Sequence, residues 1–79
     1  MEYPSVSHVL DLRGMECPAP LREFVRRVTP LPAGTVVSAL VTDPGAEIDI
    51  RSWSIKTGNR VLGVAHGDGY REIIVEKVR

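Results

Sequence analysis

The sequence predicts an α/β domain of order β-α-β-α-β-β, with two helices covering one face of a four-stranded sheet. Three observations predict it. Strand-like runs alternate with helix-periodic segments as far as Gly58. The turn Gly67-Asp68-Gly69 then joins two further runs into a hairpin. Finally, a chain of 79 residues has room for one core, and two helices on one sheet face bury a single core.

Met1 to Ser5 reads as a frayed tail ahead of the domain, and 1–79 reads as one unit. His8-Val9-Leu10-Asp11-Leu12 alternates in polarity and reads as a strand. Arg13 and Gly14 turn the chain toward Cys17. The first helix is expected over about Pro18 to Val28, since Leu21, Phe24, Val25 and Val28 fall at i, i+3, i+4 and i+7 and make one apolar stripe. Arg22, Glu23, Arg26 and Arg27 take the other face, and Pro30, Pro32 and Gly34 end the helix. Thr35 to Thr42 is β-branched and apolar on both faces, as an interior strand is. Asp43-Pro44-Gly45 reads as a turn.

The second helical region, Ala46 to Thr57, is less regular. Ala46, Ile50, Trp53 and Thr57 share a face, while Ile48 and Ile55 fall nearly opposite. Either the helix breaks near Asp49, which would cap a second piece, or an apolar flank is exposed; the break is the expectation. Gly58 and Asn59 terminate the region. Arg60 to His66 and Tyr70 to Val78 are the strands of the hairpin.

Composition excludes several classes of function. Ten acidic residues balance ten basic ones, so neither nucleic acid nor an anionic membrane is favoured as a partner. No apolar run approaches the roughly 18 residues of a membrane span, and no signal-peptide pattern is present. The sequence has one cysteine, which rules out an internal disulfide and fits a reducing, cytoplasmic setting. Cys17, His8 and His66 match no zinc spacing. No glycine-rich phosphate loop or paired-carboxylate site is evident, so no metal or cofactor is expected.

The chemistry concentrates at Arg13-Gly14-Met15-Glu16-Cys17-Pro18-Ala19-Pro20. Proline suits the first helical position because its missing N–H would have no partner there. Cys17 is therefore expected at a helix N-cap, beside the positive end of the dipole, where a thiolate is favoured over a thiol. Pro18 and Pro20 remove two of the unpaired helix-start donors and leave the amide of Ala19, with those of Cys17 and Leu21 nearby, to hold a sulfur anion. The alternative is an inert, buried cysteine, the ordinary fate of a lone thiol. The basic face of the first helix is either a solvated surface or, through Arg22 and Arg26, a docking patch for an acidic partner.

These residues carry a likeness. The chain resembles the small sulfur-carrier family typified by TusA and SirA, from about Leu10 to Val78. The carrying motifs are Leu10-Asp11-Leu12-Arg13-Gly14, Cys17-Pro18-Ala19-Pro20, Pro32-Ala33-Gly34, Asp43-Pro44, Asp49-Ile50 with Trp53, and Gly58. The resemblance implies a two-layer sandwich with a mixed four-stranded sheet. It also implies a sulfurtransferase in which Cys17 accepts a sulfane sulfur as a persulfide, with Arg13, Gly14, Pro18, Ala19 and Pro20 as the scaffold of the sulfur site. The partners implied are a persulfide donor protein, such as a cysteine desulfurase or a rhodanese-like protein, and a downstream acceptor. The chain departs from the family pattern at Arg51, where proline is common, and at Asn59, where histidine is common. Those departures spare the sulfur chemistry and bear on the docking partner. A regulatory or binding module using the Cys17 surface without turnover, and a redox sensor forming a sulfenic acid on Cys17, are the competing readings.

Overall fold

A computed structural model describes residues 6–79; the expected tail, Met1 to Ser5, lies outside the described residues. The elements are β1 (His8–Asp11), α1 (Ala19–Val28), β2 (Val36–Val41), α2 (Pro44–Lys56), β3 (Arg60–His66) and β4 (Arg71–Glu76). The four strands form one sheet of order β1-β2-β4-β3. β1 runs parallel to β2, whereas β4 is antiparallel to both β2 and β3, so the sheet is mixed.

β2 is interior and almost wholly buried, as its unbroken Val-Val-Ser-Ala-Leu-Val run requires. The hairpin forms as expected, with Gly67 N–H donating to Tyr70 C=O at 2.9 Å. The β3–β4 register shifts between Val61 and Gly63, a β-bulge at Leu62.

α1 buries Pro20, Phe24 and Val28 against the sheet. Leu21 packs on the same core at its edge. Phe24 is fully buried, which is worth roughly 1.5–3 kcal/mol for a side chain of this kind. Its ring meets Trp53 of α2 edge-on, 5.6 Å between centroids and 85° between planes. The C-terminus of α1 is closed from a distance: the buried Lys77 ammonium donates to the carbonyls of Thr29 (3.0 Å) and Leu31 (2.7 Å), two acceptors the helix end leaves open.

α2 corrects two expectations. It is continuous, with no break near Asp49, and it begins at Pro44. The Asp43 carboxylate accepts from Gly45 N–H at 2.9 Å, an N-cap followed by proline at the first helical position. The residues expected to make a turn therefore start the helix. Because the helix stays whole, its apolar flank is exposed: Ile48 is 64% and Ile55 69% accessible. Ala46, Ile50 and Ser54 form the buried face. Together with Leu10, Leu12, Val37, Ala39, Val41, Ile73 and Val75 they complete the core between helices and sheet.

Candidate functional site

One end of the molecule collects the β1–α1 loop, the β2–α2 loop and the β3–β4 turn. The pairings Asp11↔Leu40, Val41↔Arg71 and His66↔Arg71 put the ends of all these strands together. Both helices begin at this end, so both dipoles point their positive ends toward it.

The β1–α1 loop is built by short-range bonds. Leu12 extends the parallel ladder, donating to Leu40 C=O at 2.9 Å, and is fully buried. Arg13 grips Asp11 through Nε at 2.8 Å and Nη2 at 2.9 Å, and its guanidinium lies 5.3 Å from the centroid of the Tyr70 ring. That pair holds the Asp11 carboxyl down to about 2. Gly14 has φ +83°, a left-handed conformation that favours glycine, and its N–H donates to Thr42 Oγ1 at 2.9 Å. The Cys17–Pro18 peptide is cis.

Cys17 is exposed and uncrosslinked. Its N–H donates to Asp43 Oδ2 at 2.9 Å, and its thiol donates to Asp49 Oδ2 at 3.4 Å. A Cβ on Gly45 would stand 3.3 Å from Sγ, so the sulfur rests against the first turn of α2 where that residue has no side chain. The sulfur lines an open hollow of about 440 Å³ with Gly14, Met15, Glu16, Thr42 and Asp43. A second hollow of about 280 Å³ shares Thr42 and Asp43 with it and includes Glu47, His66, Tyr70 and Arg71.

The protonation state reverses the expectation. The position before α1 is Pro18 rather than Cys17, and it offers no side-chain cap. The Ala19 amide donates to Glu16 C=O at 3.0 Å and the Cys17 amide to Asp43, so neither is turned to a sulfur anion. The thiol is pushed up to about 11, first by loss of water around the sulfur, then by its hydrogen bond to Asp49 and the negative charges of Asp43 and Asp49. The resting sulfur is a thiol. Asp43, by contrast, is held below the usual carboxylate range by the amides of Cys17 and Gly45.

The other sequence-singled residues are distributed as follows. Pro18 and Ala19 are exposed beside Cys17, while Pro20 is buried in the packing under α1. Arg22 and Arg26 lie on the exposed face of α1, where Arg26 pairs with Glu23 at 2.6 Å. Arg51 is exposed and pairs with Glu47 at 3.3 Å. Asn59 is only 9% accessible; its Oδ1 accepts from the amides of Val78 (2.9 Å) and Arg79 (3.1 Å), so its side chain ties down the C-terminal segment rather than facing a partner. Among the described residues no three His, Cys, Asp or Glu side chains are grouped to hold a metal ion, and no helix is long and apolar enough to cross a membrane. Sequence reasoning gave Asp49 and Asp43 structural roles and missed Gly45; the spacing Asp43-Pro44, a cap followed by proline, was the available signal.

Comparison with known proteins bears on this site. Residues 8–77 match the family model described as Sulfurtransferase TusA. A putative sulfur carrier protein of Archaeoglobus fulgidus is 34% identical over 71 residues, covering 90% of this chain and 97% of that protein. A putative sulfur carrier protein of Aquifex aeolicus is 35% identical over 77 residues; the match takes in 98% of this chain but 39% of the relative's length. The crystal structure of a SirA-like protein from Desulfitobacterium hafniense superposes with a TM-score of 0.81 at 22% identity, over 91% of this chain and 99% of that one, and shows the same fold.

Proposed function

We propose that this chain, which belongs to the TusA family of sulfurtransferases, carries sulfur by accepting a sulfane sulfur as a persulfide on Cys17 and relaying it to an acceptor protein. The observation that carries this reading is the setting of Cys17. It is the one thiol among 79 residues, and it is exposed and uncrosslinked at the end where both helices start. With no second cysteine in this sequence, a loaded sulfur has no partner thiol in the chain with which to close a disulfide. It leaves by meeting another molecule, as a relay requires.

The transfer begins from the thiol. A thiolate is the attacking species, so the proton that Sγ donates to Asp49 Oδ2 at 3.4 Å has to leave before the attack. Sγ then attacks the terminal sulfur of a persulfidated donor protein, of the cysteine desulfurase or rhodanese-like kind. A new S–S bond forms on Cys17 and the donor's S–S bond breaks. The electron pair goes to the donor's sulfur, which takes up the proton as a thiol. No net oxidation occurs and no cofactor is called for. In this reading Arg13, Gly14, Pro18, Ala19 and Pro20 fix the loop, Arg22 and Arg26 meet an acidic partner, and the free thiol works in the reducing cytoplasm.

The test is mass. Incubated with a persulfide donor, the wild type gains the mass of one sulfur atom. Cys17→Ser gains none and keeps its circular dichroism. An adduct that persists on Cys17→Ser overturns the assignment. A wild type that docks its partners yet never gains sulfur is a binding module.

A further inference from the structure

We propose that Asp49 biases Cys17 toward release: its carboxylate favours the empty thiol, through the 3.4 Å Sγ–Oδ2 hydrogen bond, over the loaded persulfide. The inference rests on the reading of Cys17 as the sulfur-bearing residue.

Asp49 sits within α2, past the capped first turn, and the helix is continuous through it. Its side chain caps nothing and enters no ion pair among the described residues; its one hydrogen bond there is to the thiol. An ionised carboxylate can only accept. It therefore binds a sulfur that carries a proton and repels one that carries a charge. The empty carrier presents a thiol. The loaded carrier presents a persulfide, which is more acidic than its parent thiol and so carries its charge at lower pH. The same oxygen that holds the first opposes the second.

The neighbouring charges act in the same sense. The Asp43 carboxylate is fixed beside the sulfur by the Cys17 and Gly45 amides, and the adjacent Glu16 lines the same hollow. The charged side chains that line the hollow around Cys17 are thus both acidic.

The exchange that reads this bias is Cys17–SH + R–S–S⁻ ⇌ Cys17–S–S⁻ + R–SH. One S–S bond forms and one breaks, the thiol proton moves to the departing R–S sulfur, and charge is conserved. Asp49 stabilises the left side and destabilises the right. Removing its charge shifts the exchange to the right.

The experiment equilibrates wild type, Asp49→Asn and Asp49→Ala with a fixed ratio of glutathione persulfide to glutathione at neutral pH. Intact mass then gives the ratio of loaded to empty protein. For a unit charge near 4 Å in a solvated setting, the ratio rises about five-fold in both variants. Both substitutions suit a helix interior whose only bond at this site is to the thiol, and circular dichroism verifies the fold. A parallel alkylation series reads the thiol itself, whose titration midpoint falls in both variants; loss of helix alone would not produce that pairing of effects. A loaded-to-empty ratio equal to or below wild type in either folded variant overturns the role of Asp49, as does an unmoved midpoint, while loading of the wild type leaves Cys17 as the carrier residue. A wild type that gains no sulfur overturns the carrier reading, and this inference with it.

Discussion

The backbone amide of Cys17 donates to the carboxylate of Asp43 at 2.9 Å, across a sequence separation of 26 residues. The other oxygen of that carboxylate caps α2 through Gly45 N–H. One side chain thus starts the second helix and fixes the loop in front of the first. The sulfur is positioned by the cap of a helix to which it does not belong.

Acid undoes this arrangement. Asp43 is held below the usual carboxylate range by two amides, and Asp11 is held down to about 2 by Arg13. A depressed folded-state pKa contributes stability that is fully present above the unfolded value near 4 and is lost as pH falls through the folded value. The melting temperature is therefore expected to be level above about pH 5 and to fall between about pH 4 and pH 2. In Asp43→Ala the melting temperature drops about 4–8 °C at neutral pH, the scale of a lost N-cap in a small domain, and the acid-dependent part shrinks. Thermal melts across this pH range check it; a flat profile in the wild type removes both carboxylates from the account.

Alkylation of Cys17 is expected to be slow at neutral pH. Its thiol is pushed up to about 11 by desolvation and by two carboxylates, against roughly 8.5 for a free thiol. The rate with iodoacetamide should climb across the alkaline range and show no plateau by pH 9. A midpoint at or below the free-thiol value would mean that the helix starts outweigh Asp43 and Asp49.

Gly45→Ala separates helix stability from sulfur placement. Alanine is the better helix former, by up to about 1 kcal/mol in a helix interior and less in the first turn where Gly45 stands. Its Cβ, however, would stand 3.3 Å from Cys17 Sγ and 3.4 Å from Asp43 Oδ1, close enough that the sulfur must give by a few tenths of an ångström. The melting temperature is expected to hold or rise by a few degrees, while alkylation at neutral pH accelerates because the bond to Asp49 is weakened. Unchanged alkylation with a raised melting temperature would show that the sulfur does not depend on the missing side chain.

The sequence carried the architecture well because its signals are local. The alternation of His8–Leu12, the run Val36–Val41 and the glycine-flanked turn before β4 each depend on neighbours a few residues apart. The intact second helix was harder. Ile48 and Ile55 oppose the face of Ala46 and Ile50, and periodicity alone does not say whether such a segment breaks or leaves a flank in water. The helix starts early, capped by Asp43 before Pro44, and runs unbroken through Asp49. The state of the sulfur was out of reach. The local signal, a cysteine before a proline-started helix, points to a thiolate, yet Asp49 stands 32 positions away in the chain. Only the packing of α2 beside the β1–α1 loop brings it to the thiol.

The polarity of the sheet has a consequence for how the domain can be joined to other polypeptide. The chain enters β1 at His8, opposite Val37, and leaves β4 at Glu76, opposite Val36. Entry and exit therefore share one end of the sheet, and Cys17 lies at the other. A segment spliced on before His8 or after Glu76 would therefore set out from the end of the sheet opposite the thiol, so tethering this domain to a second one anchors it away from its chemistry.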